Sequence, residues 1–212
     1  MIKTRTRIST FVFWLWLGVT LSSALGEDIE FSADSVESYF TEGRESVQLQ
    51  GNAFIRTDRV EIRAQEIVLS GTNNRFVTAT GSVFVYERQK DLRLTGDELS
   101  YDRTFDILRV RGNGVLEDRQ NDIVARGSLI ENRGDDLSLI QIGVRILRPD
   151  LSARADLVRY DRQGRILELT GQPVVYSDGD EFRAARILVD LDTDDIRLEG
   201  GVQGRIMDEN DG

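Results

Sequence analysis

The side chains in this chain that could do chemistry are carboxylates and arginines. Its 212 residues hold 37 Asp and Glu against 27 Lys and Arg, with no histidine and no cysteine. Without imidazole or thiolate there is no zinc site of the usual nitrogen and sulfur kind, no cysteine nucleophile and no histidine-based triad. Carboxylate pairs of the glycosidase kind can be drawn almost anywhere among so many acids, so no pair stands out. The densest cluster, Asp190, Asp192, Asp194 and Asp195, offers oxygen ligands to a hard cation. It lacks the spaced loop and glycine of a calcium motif and reads as an acidic turn. Asp178, Gly179 and Asp180 read as a hairpin turn. The glycines are widely spaced and make no phosphate-cradling cluster before a helical pattern. This inventory calls for no enzyme, no metal and no cofactor, so function must come from shape.

The elements that would build such a shape repeat. Glycine returns at Gly51, Gly81, Gly112, Gly143, Gly171 and Gly200, about every 30 residues. Four residues before it stand Val47, Val77, Leu108, Leu139, Leu167 and Ile196. Two before it stand Leu49, Ala79, Val110, Gln141, Leu169 and Leu198, where only Gln141 is polar. Between the glycines lies a small anchor residue, at Ala33, Ala64, Gly96, Ala125, Ala155 and Ala184. Apolar residues stand two before it (Phe31, Ile62, Leu94, Ile123, Ala153, Phe182). Three after it come Val36, Ile67, Leu99, Ser128, Val158 and Ile187. Alternation with period two within each half is that of a strand with one buried face. The parity slips by one at the anchor, as at a bulge or corner. A second slip is expected after the glycine, where Phe54, Phe84, Val115, Ile146 and Val174 lie three residues on.

Turn signals separate these runs, among them SGTNN, YDRTFD, ENRGDD and YDRQG, and no stretch beyond the amino end has a 3.6-residue period. The expected fold is all-β: a repetitive antiparallel β-jellyroll or V-shaped open sandwich of about six 30-residue units. A parallel β-helix usually has shorter coils, of roughly 20 to 25 residues. The fourth unit, interrupted by Gln141, Arg145 and Pro149, is the expected weak point. The inward columns form one apolar seam, either a closed core or a groove for something greasy.

The amino end, with Lys3, Arg5 and Arg7 before an apolar run and Ala24 and Gly26 before Glu27, reads as a signal peptide over residues 1–26. Cleavage after Ala24 and an uncleaved anchor stay open, since Ile8 to Gly26 is uncharged and close to the roughly 20 residues that span a bilayer. Residues 27–212 then form a single exported domain. The absence of cysteine excludes both an attached lipid at a processed amino terminus and a disulfide. The net charge of -10, more acidic still without the leader, argues against nucleic acid.

The segments GNAFIRTDRVEIRAQEIVLS, ATGSVFVYERQKDLRLTGDELSYDRTFDILRVRGNGVL and LTGQPVVYSDGDEFRAARILVD resemble the OstA-like repeats of the LptA/LptC family of periplasmic lipopolysaccharide-transport proteins. The likeness covers most of residues 29 to 206 and is nearest to the family's soluble bridge members. It implies a periplasmic protein with an antiparallel jellyroll open at its ends. Its edges would meet further copies head to tail, or the cognate OstA-like domains of inner- and outer-membrane proteins. Its interior would shield the acyl chains of lipopolysaccharide or a similar acylated lipid. Carried onto this chain, the groove candidates are Val47, Leu49, Ile62, Val77, Ala79, Leu92, Leu94, Leu108, Val110, Ile123, Leu167, Leu169, Phe182, Ile196 and Leu198. Burying ten methylene groups against them would contribute roughly 8 kcal/mol. The competing expectation is a closed structural or envelope-assembly solenoid that binds proteins at its strand edges.

Overall fold

Alternation of apolar and polar residues, with almost no proline to interrupt it, produces strands throughout. The computed structural model describes residues 29–39 and 45–207; the expected leader over residues 1–26 lies outside them. Two short strands, β1 (Glu30–Ser32) and β2 (Ser35–Tyr39), precede eight long ones. These are β3 (Ser46–Arg56), β4 (Val60–Ser70), β5 (Phe76–Glu87), β6 (Leu92–Asp102), β7 (Ile107–Asp118), β8 (Ile123–Arg133), β9 (Leu137–Leu147) and β10 (Leu151–Asp161). Shorter strands follow: β11 (Ile166–Thr170), β12 (Val174–Ser177), β13 (Asp180–Arg183), β14 (Arg186–Asp190), β15 (Ile196–Glu199) and β16 (Gln203–Arg205). Each long strand pairs antiparallel with its sequence neighbours, in the order β3 through β10, and the sheet stays open between β1 and β15. This is an open, antiparallel, all-β sheet consistent with a jellyroll.

Each expected unit is two long strands, one bent at the glycine and the next at the small anchor, as with Gly51 in β3 and Ala64 in β4. Between Gln50 and Ala53 the ladder skips two residues against one on β4, and one extra residue recurs at the matching place in each ladder between β3 and β10. Such bulges bend a strand without ending its pairing. The column glycines make them possible, since all six have positive φ, from +66° to +80°. Space demands glycine too: a Cβ at Gly171 would stand 2.5 Å from the Cβ of Asp156 on the neighbouring strand.

Two expectations are corrected here. The glycine bulge causes no parity slip: Ala53, Ile55, Val83 and Val85 are buried, while Phe54, Phe84, Val115 and Val174 lie on the outer face. Phe54 and Phe84 instead flank Arg63, whose guanidinium carbon stands 5.3 and 5.8 Å from their ring centres. The fourth unit is also offset. Gln141 pairs with Leu129 as Arg111 does, so the first bulge position is Ile142, at φ +66°, and Gly143 comes second. That offset is why Ile146 alone of its column points inward. The anchor facing this bulge is Gly127 rather than Ala125, which leaves Ser128 exposed and buries Ile130.

Turns stack in two rims, each stitched along itself by backbone hydrogen bonds. On one rim Arg88 N donates to Arg59 O and Arg119 N to Asp91 O. On the other, Arg103 N donates to Arg75 O, Gly134 N to Asp106 O, Arg162 N to Asp136 O and Leu191 N to Arg165 O. Because every long strand is bent at its bulge, the two rims come face to face, and the apolar rows of both half-sheets join one core.

Candidate lipid groove and the seam that closes it

The expected groove residues line up by register. Leu49 pairs with Ile67, Ile67 with Ala79, Ala79 with Leu99, and Leu99 with Val110. The row continues through Ile130, Ile140, Val158, Leu169 and Ile187 to Leu198. On the other side of the bulges Ile62, Val85, Leu94 and Leu116 form a second row. One apolar surface thus runs the length of the sheet.

Leu49, Ile62, Val77, Ala79, Leu92, Leu94, Leu108, Val110, Ile123, Leu167 and Leu169 are buried in it. Val47, Phe182, Ile196 and Leu198, toward the ends, are half-buried. Leu49 and Leu94 are 0% exposed, so the interior is packed shut in this state.

What shuts the interior is a seam of side chains between the rims. Asp118, 1% exposed, is its centre. Its carboxylate accepts from Arg162 Nε at 2.7 Å, from Tyr160 Oη at 2.8 Å and from Asn121 Nδ2 at 2.8 Å. Arg162 also donates to the carbonyl of Lys90 at 2.5 Å and to Gln120 at 2.9 Å. Burial alone would raise the Asp118 pKa; the hydrogen bonds from Arg162, Asn121 and Tyr160 outweigh it and hold the carboxyl below its ordinary value. Burial and the adjacent Asp118 charge push the Tyr160 hydroxyl far up, so it stays a neutral donor.

The seam extends both ways from Asp118. Arg59 bridges to Asp106 and Asp135, each at 2.9 Å. Lys90 pairs with Glu87 at 2.6 Å and donates to Gly134 O at 3.2 Å. Asn132 donates to Glu87, and Arg165 donates to Asn121 at 2.6 Å. Across the rims the links named here run through side chains, whereas along each rim the backbone is tied. That difference makes the seam the mechanically weaker direction.

Sequence reasoning missed the seam entirely. A partial signal was an acid followed by arginine at the ends of β3, β5, β6, β7 and β10: Asp58-Arg59, Glu87-Arg88, Asp102-Arg103, Asp118-Arg119 and Asp161-Arg162.

Residues 131–195 match the family model described as LptA/(LptD N-terminal domain) LPS transport protein. The chain has a distant domain relationship to the LptA/LptD amino-terminal family. The matched segment is less than half of the chain and holds β9 to β14, including Tyr160, Arg162 and Arg165 of the seam. The class it describes is a non-catalytic transport class. The crystal structure of LptH, the LptA homologous periplasmic component of the lipopolysaccharide transport device of Pseudomonas aeruginosa, matches over 86% of this chain and 96% of its own. Its identity is 12% and its TM-score 0.27, too distant to support any argument. No curated protein matches the chain.

The acidic turn is a turn: Asp190 Oδ1 accepts from the backbone N–H of Asp192 and Thr193, while Asp192 and Asp194 pair with Arg165 and Arg148. Among the described residues no group of His, Cys, Asp and Glu could hold a metal ion, and no helix is long and apolar enough to cross a membrane.

Proposed function

We propose that this chain is a periplasmic bridge that carries lipopolysaccharide, shielding its acyl chains between the two half-sheets during transit from inner to outer membrane. The observation that carries the reading is the uninterrupted apolar row from Leu49 to Leu198, in a chain whose residues 131–195 match a lipopolysaccharide-transport family. In this reading the signal peptide over 1–26 is removed, residues 27–212 form one domain of about six 30-residue units, and the groove is lined by the inward columns headed by Leu49 and Leu94. Because the interior is packed, acyl chains enter when the seam at Asp118 and Arg162 parts. The backbone ladders stay intact while it opens.

Both ends suit association with further copies or with cognate domains in the two membranes. The first layer, β1 and β2, exposes Phe31, Val36 and Tyr39, and the last exposes Val202, Ile206 and Met207. Open strand edges beside exposed apolar side chains are sites of strand addition.

One observation favours the second reading, a closed envelope-assembly module: Leu94 and its partners Val85 and Leu116 are fully buried. Binding separates the two. Titration of the mature chain with a purified lipopolysaccharide, together with sedimentation across protein concentration, should give saturable binding and concentration-dependent end-to-end growth. A monomer that binds no acylated ligand overturns the proposal.

A further inference from the structure

Three arginines stand side by side on the outer face. Arg126 on β8 is paired in register with Arg145 on β9, and Arg145 with Arg154 on β10. All three are exposed. Among the described residues none of them has an ion-pair or hydrogen-bond partner. Several other outer-face arginines meet acids: Arg109 and Arg133 share Glu131, Arg56 and Arg88 share Glu61, and Arg186 spans Glu168 and Glu199. Arg111, Arg159 and Arg197 lie opposite Glu98, Glu168 and Leu188 rather than opposite another arginine.

Like charges directly opposite on neighbouring strands destabilise a sheet. A chain of net charge -10 has acids in excess, yet the cross-strand neighbours flanking this row are Val115 and Val174. The row therefore costs stability and is left unneutralised by the protein itself.

The arginines also line two adjoining concavities. One, about 280 Å³, is lined by Val124, Leu147, Ser152 and Tyr176 beside the arginines. The other, about 440 Å³, opens at the irregular bulge, beside Ile142 and Gly143. Leu147 is 58% exposed and Ile142 63%. These large apolar side chains flank the charged row on either side; other exposed apolar side chains include those at the chain ends and Phe76 and Phe105, whose rings both meet Arg75.

We propose that this face binds the phosphate-bearing headgroup of an anionic amphiphile, with guanidinium groups of Arg126, Arg145 and Arg154 on the phosphate oxygens and the apolar part against Leu147 and Ile142. Guanidinium donors pair bidentately with phosphate, and strands 4.7–4.9 Å apart set the arginines at a spacing that two phosphate groups, or one phosphate between two arginines, can bridge. The site lies on the opposite face of the sheet from the buried row, so it is independent of the proposed acyl-chain groove. The apolar flanks favour an amphiphile over a free polyphosphate or an acidic peptide.

The test uses the mature chain and three probes: inorganic tripolyphosphate, phosphatidylcholine vesicles with and without added phosphatidic acid, and a poly-glutamate peptide. Vesicle binding should require phosphatidic acid, and Arg145→Gln should weaken it about tenfold or more. Leu147→Ser should weaken vesicle binding but leave tripolyphosphate unchanged. Arg159→Gln, on the same face in another row, should change neither. Because Arg145→Gln removes like-charge repulsion, its melting temperature should hold or rise, which separates lost binding from lost fold. Equal binding by Arg145→Gln and the parent would overturn the proposal. So would binding of poly-glutamate in preference to phosphatidic acid, or vesicle binding that does not respond to Leu147→Ser. Lipopolysaccharide binding inside the sheet survives each of these failures, since it does not use the arginine row.

Discussion

Replacing Asp118 by Asn keeps the shape of the side chain and removes its charge at the centre of the seam. The carboxylate is 1% exposed, and Arg162, whose side chain is only 12% exposed, faces it at 2.7 Å. Breaking a buried pair by removing one partner costs about 3–5 kcal/mol, because the other charge stays buried. Arg162 keeps the Lys90 carbonyl and Gln120, which places the loss at the low end, about 3 kcal/mol. For a domain of this size that lowers the melting temperature by about 6–12 °C. The pH dependence has a definite sign. The folded pKa of Asp118 lies below its unfolded value near 3.9, so its contribution is present above that value and is lost as pH falls through the folded pKa. Urea unfolding of both proteins from pH 7 down through the acid range gives the comparison. The parent should lose part of its advantage over Asp118→Asn as pH drops, until the two converge. The double variant Asp118→Asn with Arg162→Gln should recover part of the loss, since no charge is then stranded. A difference below about 1 kcal/mol at pH 7, typical of an exposed pair, would refute the claim that this pair holds the rims together.

Other outcomes follow from the bulges. Gly171→Ala, which places a Cβ 2.5 Å from that of Asp156 at φ +76°, should destabilise by at least about 2 kcal/mol. Gly143→Ala also has positive φ but meets nothing within 4 Å, so its cost should be only the backbone one, about 1 kcal/mol. Equal losses in chemical denaturation would show that the close approach at Gly171 is not what requires glycine. Ile142→Gly should raise stability by about 1 kcal/mol, since a β-branched residue at φ +66° with 63% exposure gives up strain and little burial. A fall in the unfolding midpoint would instead assign Ile142 a packing role.

The fold class was legible because side-chain alternation in a strand does not depend on what the strand pairs with. Val47, Leu49 and their counterparts point inward as their period requires, except Leu139 and Gln141 in the offset fourth unit, where Ile140 takes the inward place. The glycine column was legible as a set of bends in the strands, but the parity after each bend was not, so the expected slip puts Phe54 and Phe84 on the wrong face. A bulge adds its residue to one strand only, and a sequence read one strand at a time cannot see the partner's count. The offset at Ile142 was hidden for the same reason, because Gly143 keeps the spacing while moving to the second bulge position. The seam needs two rims to meet: Asp118 and Arg162 are 44 residues apart, and only the bend brings them together. The row of Arg126, Arg145 and Arg154 likewise exists only once three strands are in register, since the three have no common spacing along the chain.

The central claim, that the apolar row holds acyl chains, is tested most directly by a photocrosslinking residue at Leu94 in the native envelope, with one at Arg93 on the outer face as control. The account predicts a lipopolysaccharide or other acylated-lipid adduct at Leu94 and none at Arg93. Protein adducts alone at both positions would contradict it and make the buried row an ordinary core.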